Sequence, residues 1–196
     1  MGKKKFPVRQ PRYAAGIRLQ EPRGAASRTW WAKRWMETLA EKDLAGRFGR
    51  GRAYAMSGQV ISVRLCGTVV EADVVGVRPE PYQVCLRFRA PSGEARARLV
   101  ARLVAEPMLL ARLVAGDLPT EVESMFRAEG FYLFPGGKLG EGVYDVTTSC
   151  TCPDYANPCK HSFAALLVLG EEISRRPALL LELRGIALVE LCGEVP

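Results

Sequence analysis

Four residues constrain this chain more than any others. Cys150, Cys152, Cys159 and His161 fall within twelve positions, in the pattern C-x-C, six residues, C-x-H. His161 is the sole histidine among 196 residues. Three thiolates and one imidazole make a tetrahedral donor set for zinc. The first two ligands end a predicted strand, Val143 to Cys150. Pro153, Asn157 and Pro158 turn the chain between the two pairs. The last two ligands open a predicted helix from Lys160 to Ile173, where free N–H groups and the helix dipole favour a thiolate. Four protein ligands close the coordination sphere. The expected cofactor is therefore one structural Zn2+, held by Cys150, Cys152, Cys159 and His161, with no position left for a substrate.

Little else in the sequence offers catalytic chemistry. The single histidine is already used, which excludes a Ser–His–Asp triad and a Cys–His dyad. Gly136-Gly-Lys-Leu lacks the first glycine and the Ser/Thr of a phosphate-binding loop and reads as a hairpin loop. Gly49-Arg-Gly-Arg fits no dinucleotide fingerprint. The expectation is a protein that is not an enzyme and has no catalytic residues.

The patterning predicts an α+β chain. Residues 1–28 scatter prolines and glycines among arginines with no apolar period, and read as a basic, flexible arm. Trp31, Trp35 and Leu39 then repeat at helical spacing behind Ser27 or Thr29 as cap, and their stripe reads as packing rather than base stacking. From Gly58 to residue 89 the period changes to two, which predicts a three-stranded antiparallel meander. Cys66 and Cys85 lie on it without a Cys or His neighbour and read as small buried hydrophobes. Residues 94–116 predict two helices broken before Pro107. A third helix follows Leu118-Pro119 and stops at Gly130. Phe131–Pro135 and Val143–Cys150 read as two strands, and a last helix covers Pro177 to Leu183. The chain thus divides into the arm (1–28), a helix-and-meander region (29–105) and a helical segment with the zinc site (106–196), whose core is 131–173.

Charge divides along the chain as well. Net charge is +7, yet residues 1–60 hold 14 Lys/Arg against 4 Asp/Glu, while the remainder is net acidic. A basic first third suits a polyanion. The candidate phosphate contacts are Lys33, Arg34, Arg47, Arg50 and Arg52, with Lys160 between two ligands. Residues 117–154 oppose this with seven acids and only Arg127 and Lys138 as bases, which suits a protein partner better. Six cysteines without a leader-like apolar run place the chain in the cytoplasm, where thiols bind metal rather than form disulfides. The longest apolar run, Phe163–Leu169, is too short to span a bilayer.

The segment Cys-Thr-Cys-Pro-Asp-Tyr-Ala-Asn-Pro-Cys-Lys-His, followed by Ser-Phe-Ala-Ala-Leu-Leu, resembles the SWIM-type zinc finger. Gly49-Arg-Gly-Arg-Ala-Tyr-Ala55, Gly58-Gln-Val, Arg78-Pro-Glu-Pro-Tyr82 and Gly116-Asp-Leu-Pro119 extend the resemblance to the bacterial stand-alone members, over roughly residues 29–190. Tyr155 stands where that family more often has tryptophan. The resemblance implies a compact ββα finger at the C-terminal end of the chain, binding DNA or proteins. It also implies association with helicase-like ATPases. The expected function is a nucleic-acid-binding module, with DNA ahead of RNA, working with such an ATPase. The alternative is an adaptor that docks on a Swi/Snf-type helicase, its zinc purely structural. Neither a membrane nor a small-molecule substrate is expected.

Overall fold

A computed structural model describes residues 10–20, 29–41, 46–136 and 145–193. Its centre is a helix that is apolar almost all round. In α6 (Lys160–Arg175), every residue from His161 to Glu171 is buried, as is Ile173. A helix of that composition must be surrounded, and the other elements surround it.

One wall is an antiparallel sheet, β1 (Val60–Cys66), β2 (Val69–Val74), β3 (Tyr82–Phe88) and β4 (Val146–Cys150), in that spatial order. The first three strands are the predicted meander. Alternation sets its two faces: Val70, Ala72, Val74, Val84, Leu86 and Phe88 point to the core. Ser62, Arg64, Glu71, Asp73, Gln83 and Arg87 lie on the solvated side. The sheet does not stop at residue 89. β4, which carries the first zinc ligand, pairs with β3 in the register Val84↔Cys150 to Phe88↔Val146. The zinc segment is thereby part of the same sheet as the meander.

Two helices clamp α6 from the other side. In α1 (Trp30–Ala40), Thr29 caps the first turn by accepting from the Ala32 N–H. Trp31, Trp35 and Leu39 are buried, so the tryptophan stripe is packing. The Trp35 indole donates to the Leu166 carbonyl at 3.1 Å. It lies against Gly170, where a Cβ would stand 2.5 Å from the indole nitrogen. α2 (Arg47–Met56) crosses α6 at Gly51, where a Cβ would stand 2.5 Å from that of Phe163. α3 (Gly93–Val104), α4 (Pro107–Val114) and α5 (Thr120–Ala128) form an outer helical layer, with Pro107 opening α4. The short α7 (Leu179–Glu182) and α8 (Leu188–Gly193) close the chain.

Several expectations change. Phe131–Pro135 forms no strand, so a ββα hairpin does not arise from it; β4 takes β3 as its partner instead. Phe131 stacks under Arg89, and Leu133 and Phe134 are buried in the core, where they serve as packing. The Gly-rich loop falls mostly within 137–144, outside the described residues. Cys66 is exposed and Cys85 half-buried rather than in the core, because both face the solvated side of the sheet. α2 and α8 have no counterpart in the sequence reading.

Of the basic arm, residues 1–9 and 21–28 lie outside the described residues. Residues 10–20 cross the start of β1. Gly16 and Ile17 donate to the carbonyls of Gly58 and Val60, and the Gln20 N–H donates to the Glu171 carboxylate. A buried ion pair ties the far end of the chain to the sheet. Arg184 and Asp145 have no solvent exposure and meet in a bidentate pair at 2.9 and 2.7 Å. Arg184 also donates to the carbonyls of Arg89 and Leu133, which satisfies its remaining N–H groups.

Candidate metal centre

The four predicted ligands converge. Cys150 is fixed by the β3 ladder, which runs one residue further through the Thr151 N–H and the Gln83 carbonyl. Cys152 lies in the turn beyond. Cys159 is the N-cap of α6, and its sulfur accepts from the Ser162 N–H at 3.4 Å. His161 follows in the first turn, buried to 3% exposure. All four ligand atoms lie within 4.8 Å of one another. His161 Nδ1 is 3.7 Å from Cys150 Sγ and 3.8 Å from Cys159 Sγ. Bond lengths of about 2.3 Å to sulfur and about 2.0 Å to nitrogen give tetrahedral edges of about 3.6 Å. The set fits one structural zinc, which would join the end of β4 to the start of α6.

The sulfurs divide their protons unequally. Cys159 is held down to about 3, first by the hydrogen bond from Cys150 and further by His161 and Ser162. Cys150 is pushed up by the same shared proton and by burial. Burial also pushes up Cys152.

Aromatic rings hold His161. Tyr82 stacks on the imidazole at 4.4 Å and 25°, and Tyr54 meets it edge-on at 5.2 Å. Nε2 is buried and has no hydrogen-bond partner among the described residues, so the ring is oriented by packing rather than by the usual second hydrogen bond. Lys160 lies over the Tyr54 ring and Arg78 over Tyr82.

The loop between the ligand pairs is pinned from α2. Arg47 donates to both Asp154 oxygens, at 3.1 and 2.9 Å, and its guanidinium lies 5.2 Å from the Tyr155 ring centroid. The same hydrogen bonds lower Asp154 from its ordinary value. Asn157 is tied to β4 through Thr148, donating to its carbonyl at 2.6 Å and accepting from its hydroxyl.

The six predicted basic contacts do not form one patch. Arg47, Arg50 and Lys160 surround the loop and the start of α6; Arg50 acts on Asp154 through space, and the Lys160 carbonyl lies beside Gly51. Arg47 is buried and spends its charge on Asp154. Arg52 is half-buried on α2. Lys33 and Arg34 lie apart on α1, where they pair with Glu37 and Glu123. Asp154, Tyr54, Tyr82 and Ser162 escaped sequence reading as parts of the site. Tyr54 and Tyr82 nevertheless sit inside stretches that carried the resemblance.

The SWIM zinc finger family matches residues 142–170. The chain carries a SWIM zinc finger. The chain is also 35% identical over 180 residues to the uncharacterized protein Rv2102 of Mycobacterium tuberculosis (strain ATCC 25618 / H37Rv). The alignment covers 91% of the chain and 63% of that relative, so the chain spans just under two thirds of the relative's length. No solved structure matches it. Among the described residues, no helix is long and apolar enough to cross a membrane.

Proposed function

We propose that this protein binds nucleic acid, DNA ahead of RNA, through the face that carries the zinc loop, and brings a helicase-like ATPase to it. It acts by binding, without catalytic chemistry of its own, in the cytoplasm. The observation that supports this reading most is the gathering of Arg50 and Lys160 beside a zinc loop whose own acid, Asp154, is neutralised by Arg47. Arg50 and Lys160 are the cations that a polyanion approaching there can meet. The ordering of the loop by metal and by Arg47 keeps that charge in place.

The test is fluorescence anisotropy of zinc-loaded protein with labelled DNA and RNA across salt concentrations. Affinity falls steeply with salt, and Lys160→Ala or Arg50→Ala each reduces the log–log slope by about one. An affinity that ignores salt sinks the reading.

A second reading, a protein adaptor, has its own observation. An open groove of about 660 Å³ lies between residues 16–20, the β1–β2 face and the end of α6. Ile17 and Leu65 line it and remain 42% and 39% exposed. Enrichment of an ATPase in pull-downs, lost on Leu65→Asp but kept on Lys160→Ala, favours that reading.

A further inference from the structure

Tyr155 is the most exposed large apolar or aromatic side chain of the described residues, at 94%. A lone aromatic on a surface needs no explanation by itself. This one stands on a loop that is held at every side. Its two ends are metal ligands, Cys152 and Cys159. Asp154, the preceding residue, is clamped by Arg47 and also accepts from the Ala156 N–H at 3.2 Å. Asn157 is fastened to β4. Arg47 is buried to 7% exposure, so the cation beside the Tyr155 ring is itself immobile. The result is a flat ring carried on an anchored loop, 5.2 Å from a buried guanidinium and otherwise open to solvent. Arg50 and Lys160 flank the same loop.

We infer that Tyr155 is a stacking platform for an unpaired base, so that the finger takes single-stranded nucleic acid in preference to duplex. This rests on the nucleic-acid reading above and names its substrate class. Every base offers a π-face, and stacking on an aromatic side chain is tolerant of sequence. In a duplex those faces are covered by neighbouring bases, and exposing one costs unstacking. A single strand presents them without that cost, while its phosphates reach Arg50 and Lys160.

The experiment uses the zinc-loaded full chain with labelled oligothymidylate, oligouridylate and a mixed-sequence DNA duplex, at one fixed salt concentration. The expected result is single strands bound about tenfold or more tighter than duplex. Tyr155→Ala then weakens single-strand binding by about tenfold, in line with the loss of one stacked base, and leaves duplex binding unchanged. Tyr155→Phe retains it. The two single strands separate DNA from RNA. Equal binding to duplex, with Tyr155→Ala neutral, overturns the inference while the polyanion reading stands. Binding to none of the three probes overturns both. Zinc content is measured for each variant; should Tyr155→Ala lose the metal, the strand preference of the unaltered chain decides alone.

Discussion

Cys150 and Cys152 approach the metal with protons to lose. In the metal-free fold Cys159 is the natural thiolate, held down to about 3 by the proton it shares with Cys150. Cys150 and Cys152 are both raised, the first by that shared proton and the second by burial. Zinc must therefore displace two protons near neutral pH. Protons and metal compete, so affinity falls as pH falls through the range below those raised values. The expected slope of log affinity against pH is about two. Competition with a chromophoric chelator at several pH values measures it, and a flat profile contradicts the proton assignment. The ligand set has a sharper check. Cys152→Ser and His161→Ala are expected to lose stoichiometric zinc, a term of about 10–16 kcal/mol in isolated finger peptides. Cys66→Ser, Cys85→Ser and Cys192→Ser keep it, since none of the three belongs to the cluster. Metal analysis of the purified variants separates the two groups.

At the scale of elements, the crossing of α2 and α6 decides how the zinc loop is supported. Gly51 lets the two backbones approach until a Cβ would stand 2.8 Å from the Lys160 carbonyl. That closeness brings Arg47 within reach of Asp154 and Tyr54 within reach of His161. Gly51→Ala forces the helices apart and is expected to cost about 1–3 kcal/mol, as overpacking does. Denaturant melts measure the stability change. Chelator competition should show weaker zinc binding as well, since the loop and the imidazole lose their supports together. A variant as stable as the parent argues against a rigid crossing. This crossing also shows where sequence reading succeeds and where it stops. The four ligands were legible because they are local: metal chemistry imposes their spacing on twelve consecutive residues. The meander was legible because alternation is local too. Arg47 and Asp154 are 107 positions apart, and nothing in either neighbourhood announces the other. The resemblance pointed at Tyr54 and Tyr82 without saying why. The fold supplies the reason, which is that both rings pack on His161. Phe131–Pro135 misled because aromatic, β-prone residues suit a core loop as well as they suit a strand.

For the whole molecule, the metal is not confined to a detachable finger. One ligand pair terminates a strand of the common sheet, and the other begins the helix around which the entire core is built. Trp35 of α1 donates to α6, α2 crosses it, and the inner faces of β1 to β3 rest on it. Releasing zinc frees the start of α6 and the end of β4 at once. It removes the cross-link that holds Cys159, the N-cap of α6, in place, and the loss propagates into the hydrophobic cluster that spans the chain from Trp31 to Leu191. Chelation is therefore expected to lower the melting temperature of the whole described fold in a single transition. Were the finger an independent unit, chelation would instead produce an early step that leaves the remaining core intact. Near-UV circular dichroism distinguishes these outcomes, because Trp31 and Trp35 report on the packing of α1, away from the metal. Their signal should collapse together with far-UV helicity when zinc is stripped and the temperature raised. A tryptophan signal that outlasts the loss of zinc-dependent helicity would mean that α6 is held by its apolar surroundings alone. The metal would then serve only to shape the loop that carries Tyr155.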